Sequence, residues 1–350
     1  MKELIYASSN IGYGHVSRDV AVCTSLDEIG IKPIFIGGGT IRKFVESYGF
    51  KFIEYYGEPL LTTMKGKVVN VSLWYLRYWL RYRKSFELFK KLYKELNARL
   101  VVSDEDFIVL GNAQKLNIPT ILITDQLSVA FAKTKVAKFF EERVHKWMQE
   151  RISNSLKVIV PSFKSEFDYP SDNVVYVGPI VRDTKRNKDD IRKELNIADY
   201  EKLIVITGGG SNLGKHMILR IIKEVSLLKG DYKFFIVGEF NNKTRHDSRF
   251  IMRNFVRDLH EYIAAADLVI SLAGKSTIDE ALVYGTPIIA IPIKNHFEQE
   301  YNATRLGFSY EDLYNIRSLV EKMVGKRREP LTNDGKKKTV KEIVDVLTTI

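Results

Sequence analysis

Apolar runs rich in β-branched residues recur along the chain, and most end in a Gly, Ser or Asp turn that leads into an amphipathic segment. Short apolar runs are typical of strands buried in a parallel sheet, whereas apolar positions every three to four residues are typical of helices. Their alternation predicts βαβ units. The predicted strands are residues 4–8, 33–37, 100–103, 120–124, 158–161, 174–177, 203–207, 233–237, 250–255, 268–272 and 287–292. One predicted helix begins near residue 17, and the others cover residues 41–48, 216–228, 259–266, 276–284 and 299–306.

The strand–helix pattern occurs twice, and the Gly-Pro turn at Gly178 lies where the first series of units ends. A length of 350 residues suits two domains. We therefore predict an α/β protein with two doubly wound, Rossmann-like domains that face each other across a cleft. The predicted domains are residues 1–180 and 181–325, and residues 326–350 are predicted to form a Lys-rich tail helix.

The composition, 45% hydrophobic and 11% aromatic, excludes a mainly disordered chain. Cys23 is the only cysteine, which excludes an intrachain disulfide and a cysteine-based zinc site, so a cytoplasmic setting is expected. Residues 1–8 do not have the pattern of a signal peptide, and no apolar run approaches the ~20 residues of a membrane span.

A Gly-rich loop follows the first predicted strand, at residues 9–15 (Ser-Asn-Ile-Gly-Tyr-Gly-His). Gly12 and Gly14 allow a tight turn at the carboxyl end of a strand, where ligands bind in open α/β sheets. His15 would open the next helix, and its ordinary pKa near 6.5 suits a general base. A solvated histidine in a plain turn fits the same residues. Ser17 stands where the nicotinamide fingerprint needs its third glycine, which weakens that interpretation.

A second Gly-rich loop follows a predicted strand at residues 207–215 (Thr-Gly-Gly-Gly-Ser-Asn-Leu-Gly-Lys). Exposed backbone N–H groups and the next helix N-terminus favour an anion, although a plain turn fits equally well. His216 replaces the Ser or Thr that holds magnesium in a Walker A loop, so we treat that match as accidental.

Residues 271–281 repeat the arrangement: a strand ends, Gly274 turns the chain, and Ser276 and Thr277 begin a helix. Hydroxyls and free N–H groups at a helix start suit a diphosphate. Glu280 lies one turn further on the same face, where its carboxylate could accept both ribose hydroxyls. Its alternative role is that of an acid near the helix N-terminus. A second polar cluster, residues 295–303, follows the next strand and suits sugar hydroxyls.

These last two segments together resemble the donor half of glycosyltransferase family 28, the MurG-like UDP-GlcNAc transferases and their archaeal homologues. The resemblance covers most of the chain and is strongest over residues 250–307. It implies the GT-B fold, with an acceptor side in residues 1–180 and a nucleotide-sugar donor side in residues 181–325. It also implies a set of donor-binding residues: Gly209, Gly210, Ser211, Asn212, Val256, Leu259, Gly274, Lys275, Ser276, Thr277, Glu280, Glu298, Gln299 and Glu300.

The resemblance also implies the reaction, an inverting transfer of a sugar, GlcNAc in the family, from a UDP-sugar to a lipid-linked or glycan hydroxyl. Glycine N–H groups and a helix N-terminus can stabilise the leaving diphosphate without a metal or other cofactor. His15 is the predicted base, and Asp104 and Asp125, which end neighbouring strands, would orient it. Gly12 and Gly14 form the predicted acceptor loop. Although residues 104–106 read Asp-Glu-Asp, an Asp-x-Asp metal motif of the other transferase fold, the two Gly-rich loops argue against that fold.

Positive charge is concentrated in residues 65–99, which hold ten Lys or Arg and two Glu, most of the chain's net charge of +11. Trp and Tyr are interleaved with these basic residues, as in helices that lie on an anionic membrane surface. The segment would then place the enzyme at the inner face of the cell membrane. A core-facing aromatic stripe with a solvated basic back explains the same pattern.

Two further functions are consistent with parts of the sequence. A UDP-GlcNAc 2-epimerase would use the same fold without an acceptor surface. A nucleic-acid-binding protein would use the excess of positive charge, but no nucleic acid is expected beside a small-ligand cleft.

Overall fold

The computed structural model describes residues 3–55, 57, 59, 62–64, 67–69, 71–125, 127, 135–164, 171–209, 214–238 and 247–350. Strands and helices alternate as predicted and form two parallel sheets, which confirms the α/β class, and two short strands form a separate antiparallel sheet. The strands are Glu3–Ser8 (β1), Lys32–Gly37 (β2), Lys51–Glu54 (β3), Thr62–Met64 (β4), Lys67–Val69 (β5), Leu100–Asp104 (β6), Thr120–Ile123 (β7), Lys157–Val160 (β8), Val174–Tyr176 (β9), Lys202–Thr207 (β10), Tyr232–Val237 (β11), Phe250–Arg253 (β12), Leu268–Ser271 (β13) and Ile288–Ala290 (β14). The helices are Gly14–Glu28 (α1), Arg42–Ser47 (α2), Val71–Leu96 (α3), Phe107–Lys115 (α4), Lys135–Ser153 (α5), Lys188–Glu194 (α6), Lys215–Val225 (α7), Leu259–Ala265 (α8), Lys275–Val283 (α9), Phe297–Arg305 (α10), Ile316–Met323 (α11) and Gly335–Thr349 (α12).

The first sheet has the order β3-β2-β1-β6-β7-β8-β9, and its neighbouring strands are parallel. The strand order reverses between β1 and β6, where Ser8 pairs with Asp104. Ligands of open α/β sheets bind at such a switch point, beyond the carboxyl ends of the strands. The loop that carries His15 therefore begins at the switch point of this sheet.

The second sheet has the order β12-β11-β10-β13-β14 and is also parallel. Its switch point lies between β10 and β13, where Thr207 pairs with Ser271. Both loops predicted to bind the donor diphosphate follow these two strands. Each sheet thus presents its predicted ligand loops at its own switch point.

Helix α1 begins at Gly14, three residues earlier than the sequence pattern predicts. Gly12 has φ +79°, a left-handed conformation that glycine adopts without steric cost, and it turns the chain directly into the helix. Because the helix starts early, His15 lies in its first turn. The apolar pattern does not indicate where α1 begins because the first turn of this helix carries polar residues.

The predicted tail helix forms as α12 but begins at Gly335, nine residues after the predicted start, and it packs on the core of the first sheet. Ile343, Val346 and Leu347 are buried among the residues of α1 and β1. Helix α12 starts at Gly335, where a Cβ atom would come within 2.1 Å of the Pro179 carbonyl oxygen. Only glycine fits there, so the tail is held at the junction of the two halves.

Helix α3 is the longest described helix, with 26 residues. Neither it nor any other helix of the described ranges is both long enough and apolar enough to cross a bilayer.

Candidate active site

His15 and Asp104 meet at the switch point of the first sheet. The His15 Nδ1 atom lies 3.0 Å from Asp104 Oδ1, and the Asp104 side chain is fully buried. The contact places a proton on Nδ1, while the other ring nitrogen, Nε2, lies 3.7 Å from Glu105 Oε2. The structure therefore brings together two of the three residues predicted to be catalytic.

Asp125 joins this cluster through a residue that the sequence analysis missed, Arg18. The buried Arg18 guanidinium donates to both Asp104 oxygens, at 2.5 and 2.6 Å, and to Asp125 Oδ2 at 2.7 Å. Arg18 is three residues after His15 in α1, so both side chains point from one face of the helix. That spacing was a usable signal, but a helix arginine is more often solvated.

The carboxylates change the titration of His15. Burial by itself lowers its pKa, but the charge and hydrogen bond of Asp104 and the charge of Glu105 outweigh burial and raise that pKa to about 10. Although burial opposes it, Arg18 and His15 hold the pKa of Asp104 well below its usual range. His15 is therefore an imidazolium at neutral pH, which corrects the expectation that it titrates near its ordinary value.

Glu105 is a second residue that the sequence analysis did not assign to the site. Its Oε2 lies 3.7 Å from His15 Nε2, while its Oε1 accepts hydrogen bonds from Thr124 Oγ1 and the Asp125 backbone N–H, both at 2.9 Å. Its φ of +52° is costly for a non-glycine residue and turns the side chain toward His15. Burial raises the pKa of Glu105 to about 7, against the opposing charge of His15.

The predicted acceptor loop touches the predicted donor helix directly. The Ser276 hydroxyl, in the first turn of α9, donates to the Gly14 carbonyl at 2.8 Å. The α1 and α9 N-termini thus approach each other across the cleft. Gly12, which shapes this loop, has open space on its Cβ side.

The turn from β13 into α9 has the geometry expected for an anion site. Gly274 caps α9, and nothing lies within 4 Å of where its Cβ would be. Ala273 just before it has φ +57°, and its carbonyl accepts from Asn302 Nδ2 at 3.2 Å. Thr277 lies half-buried in the first turn. The first N–H groups of a helix have no partner within the helix, so this turn is a suitable place for an anion.

The second Gly-rich loop is described only in part. Gly209 has φ +72°, and no atom of the described residues lies within 4 Å of where its Cβ would be. The predicted contacts of Gly210, Ser211 and Asn212 lie outside the described residues.

Glu280 is buried and already paired. Its Oε1 accepts from Arg182 Nη2 at 2.9 Å and lies 3.4 Å from the Ser17 hydroxyl. Arg182 comes from the segment that joins the two halves of the chain, and it also donates to Tyr48 Oη at 2.7 Å. At Oε1, ribose hydroxyls would have to compete with Arg182 for this carboxylate.

Lys275 turns away from the helix N-terminus. Its ammonium donates to both Asp279 oxygens, at 2.6 and 2.7 Å, and to the Pro161 carbonyl of the first half at 3.1 Å. Burial raises the pKa of Asp279 to about 6 although Lys275 opposes the change. Lys275 thus links the two halves rather than reaching toward the diphosphate turn.

Three predicted donor-binding residues at the start of α10, Glu298, Gln299 and Glu300, make different contacts. Gln299 Oε1 accepts from the Ile293 N–H at 3.0 Å, and Glu300 Oε1 accepts from the Asn295 N–H at 2.9 Å, so both brace the loop before α10. Glu298 instead interacts with the charges of His15 and Asp125, and burial raises its pKa. Of these three residues, Glu298 is the one whose pKa is affected by the charges of His15 and its neighbours.

The segment after β12 connects the two halves through aromatic rings. Phe255 lies with ring centroids 5.8 Å from Tyr13 and 6.1 Å from Phe44, both of the first half. Val256 and Leu259 pack instead into the core of the second half. Phe255, which precedes the predicted donor-binding residues Val256 and Leu259, therefore lies in the seam between the halves.

No group of three or more His, Cys, Asp or Glu side chains in the described ranges is arranged to hold a metal ion. That the reaction needs no metal stays a prediction.

Helix α3, which contains most of the basic aromatic segment, has both buried and exposed side chains. Its Ser85 and Phe89 are buried in the first half, and Asn112 Nδ2 donates to the Ser85 hydroxyl at 2.7 Å. Its amino-terminal part instead exposes apolar side chains together with basic ones. These exposed residues, called here the α3 surface, are Leu73, Leu76, Arg77, Trp79, Leu80, Arg81, Arg83 and Lys84.

Comparison with known proteins agrees with this arrangement. Residues 203–344 match the glycosyltransferase family 28 C-terminal domain. An uncharacterised glycosyltransferase of Methanopyrus kandleri is 26% identical over 298 residues, which cover 80% of this chain and 83% of that protein. A UDP-N-acetylglucosamine–N-acetylmuramyl-(pentapeptide) pyrophosphoryl-undecaprenol N-acetylglucosamine transferase of Caldicellulosiruptor saccharolyticus is 27% identical over 327 residues, 87% of this chain and 81% of that one.

Two solved structures show the same fold. MurG of Acinetobacter baumannii superposes with a TM-score of 0.60 at 15% identity, over 99% of this chain and 100% of that one. The calicheamicin glycosyltransferase CalG4 superposes with a TM-score of 0.65 at 15% identity, over 100% and 99% of the two chains. The family model and the sequence relatives support transfer chemistry and give no support to the epimerase alternative.

Proposed function

Since the chain is a GT-B glycosyltransferase of family 28, we propose that it transfers a sugar, GlcNAc by analogy with the N-acetylglucosamine transferases it resembles, from a UDP-sugar to a lipid-linked or glycan hydroxyl. The observation that carries the proposal is the meeting of two sites across the cleft. The His15 cluster opens α1, and the free N-terminus of α9 lies a single hydrogen bond away, from Ser276 to Gly14.

In the proposed reaction the second half holds the donor. Negative charge develops on the diphosphate as the glycosidic bond breaks, and the N–H groups after Gly274 and Gly209 stabilise it. Glu280 holds the ribose after Arg182 has moved aside. No metal or other cofactor is required in this scheme. The acceptor hydroxyl attacks from the side of His15, opposite the leaving group, and the anomeric centre is inverted.

We expect UDP and UDP-sugars to raise the melting temperature, because a ligand that binds only the native state stabilises it by about 2.7 kcal/mol at a hundred times its Kd. Thermal unfolding is measured with UDP, UDP-GlcNAc, UDP-glucose, GDP-mannose and NAD, each with and without EDTA. The shift with UDP is expected to survive EDTA. Glu280→Ala is expected to show a smaller UDP shift, and the exposed Glu321→Ala on α11 serves as its control.

Three outcomes would contradict this proposal. A shift with NAD alone, or with none of the nucleotides, would exclude a UDP-sugar donor. Loss of the UDP shift in EDTA would contradict metal independence. An equal loss of the UDP shift in Glu280→Ala and Glu321→Ala would remove Glu280 from the ribose site.

We further propose that the α3 surface rests on an anionic membrane, where a lipid-linked acceptor lies, so that the enzyme is cytoplasmic and peripheral at the inner face of the cell membrane. Leu76 is 52% exposed and Trp79 is 49% exposed, and Arg77 and Lys84 are exposed beside them. Apolar residues inserted at the headgroup level, with basic residues around them, give such binding its strength.

We expect the protein to co-sediment with vesicles that contain phosphatidylglycerol, and less with pure phosphatidylcholine vesicles. Leu76→Ser with Trp79→Ser is expected to lower the bound fraction at least fivefold. Leu227→Ser, which removes a leucine of similar exposure (58%) from the second half, is the matched control. Equal binding by the double variant and the wild type would rule out the α3 surface as the contact.

A further inference from the structure

His15 presents a difficulty for the proposed reaction, because an imidazolium has no free lone pair to accept a proton. Its Nδ1 atom faces the Asp104 carboxylate at 3.0 Å, and its Nε2 atom faces the Glu105 carboxylate at 3.7 Å. Carboxylates on both sides stabilise the charged ring. A second group must therefore supply the capacity to take up a proton.

Glu105 has the position for that role. One of its oxygens, Oε1, is fixed by Thr124 and by the Asp125 backbone, and the other points toward His15 Nε2. Its side chain is 12% exposed, so it borders the cleft without being freely solvated. The gap of 3.7 Å between Nε2 and Oε2 leaves both atoms within reach of one hydroxyl group.

We infer that His15 and Glu105 act as one acid–base pair, in which Glu105 is the member that gains the net proton from the acceptor hydroxyl. The inference rests on the proposed transfer reaction. His15 remains a cation that is positioned by Asp104 and that orients the Glu105 carboxylate.

The step balances without any further reactant. The acceptor oxygen forms a bond to the anomeric carbon, and the bond from that carbon to the diphosphate oxygen breaks with both electrons staying on the nucleoside diphosphate. The hydroxyl proton passes to the pair, which starts as imidazolium and carboxylate and ends as imidazolium and carboxylic acid. Later loss of that proton to water restores the pair.

The charges around the His15–Glu105 pair are consistent with uptake of a proton by Glu105 near neutral pH. The pKa of Glu105 is about 7, which suits a base working at that pH, whereas that of His15 is about 10. Because the two groups interact, the pair titrates as a unit. The charged groups that act on the pair are Asp104 at the end of β6, Arg18 on α1, Asp125 after β7 and Glu298 on α10 across the cleft.

The test is the pH dependence of kcat/KM in Glu105→Gln. The wild-type rate is expected to fall on the acid side with an apparent pKa near 7. In the variant the base must be neutral His15, so the acid limb is expected to move to higher pH, with at least a tenfold loss at pH 7. The glutamine oxygen keeps the acceptor for Thr124 and Asp125, so the loop is retained.

The direction in which the acid limb moves in Glu105→Gln distinguishes the possible roles of His15 and Glu105. If His15 alone were the base, removing Glu105 would lower the His15 pKa and move the limb to lower pH. A lower rate at every pH with an unmoved limb would mean that Glu105 only supports the loop. Either result overturns the inference.

Asp106→Asn is the matched control, because Asp106 is the next acid in the chain but caps α4 through a hydrogen bond from the Val109 N–H at 3.0 Å. The acid limb of the Asp106→Asn pH profile is expected to stay at the wild-type pH. A shift equal to that of Glu105→Gln would overturn the assignment of Glu105 as the group that gains the proton.

A second measurement does not depend on turnover. The ring signals of His15, identified by their loss in His15→Ala, are titrated by NMR in wild type and in Glu105→Gln. The pKa of His15 is expected to fall in the variant, and an unchanged value would overturn the pair. If the wild type transfers no sugar, the proposed function fails while this titration still reports on the contact.

Discussion

His15→Ala is expected to lower the rate of sugar transfer by about 10²- to 10⁴-fold, the range for loss of a general acid–base group. The variant loses the cation that faces Glu105, so burial and the neighbouring carboxylates leave Glu105 protonated at neutral pH. UDP binding is expected to change little, because the donor is proposed to lie against α9 and the second sheet. The readouts are kcat with UDP-sugar and acceptor, and the Kd of UDP by calorimetry.

His145→Ala is the control, because His145 lies on α5 outside the cluster. A His15→Ala variant with wild-type kcat would remove His15 from the reaction. A variant that lost UDP binding and transfer together would place His15 in the donor site instead.

Arg18→Met is expected to destabilise the protein by about 3–5 kcal/mol, the range for breaking a buried ion pair from one side. Arg18 and Asp104 are 4% and 0% exposed, so the variant removes the guanidinium that the two carboxylates share and leaves Asp104 with only the His15 imidazolium beside it. The melting temperature is expected to fall by on the order of 10 °C at pH 7. Thermal unfolding monitored by circular dichroism measures it.

The loss of stability in Arg18→Met is expected to depend on pH. In the wild type Asp104 has a lowered pKa, so its contribution to stability is present above the pKa of the unfolded chain and is lost only in acid. Without Arg18, only His15 opposes the effect of burial, so the pKa of that carboxyl is higher than in the wild type and the fold gains less stability as pH rises. The deficit should therefore shrink between pH 7 and pH 5.

Arg42→Met provides the comparison for Arg18→Met, since Arg42 pairs with Glu54 at 2.9 Å on the surface. An exposed pair contributes at most about 1 kcal/mol. Equal losses in the two variants, or a deficit in Arg18→Met that grows in acid, would contradict the role assigned to Arg18.

The sequence predicts the sheets well because the strands of a doubly wound fold are buried on both faces and read as continuous apolar runs. The same logic places His15 and Asp104 together. His15 opens the helix that follows β1, and Asp104 ends β6, so both lie at the switch point. Asp125 was placed correctly at the end of the next strand. These parts of the site depend only on strand order.

The rest of the site depends on contacts between residues far apart in the chain. The pairing of Glu280 with Arg182 joins α9 to the segment between the halves, and no local pattern encodes it. The role of Glu105 depends on a positive φ for a residue type that rarely adopts one. Likewise, the apolar face of α12 predicts that the helix packs, but it does not specify which core receives it.

The position of α12 has a consequence for how the protein is made. The first core is closed by Ile343, Val346 and Leu347, which leave the ribosome after every strand of both sheets. Domains generally fold during synthesis in order from the amino terminus. Here the first sheet must wait, with the apolar groove beside α1 uncovered, until the second half has been translated. The amino-terminal half of this enzyme is therefore the last to be completed, and the nascent chain is most exposed to aggregation or chaperone binding along α1.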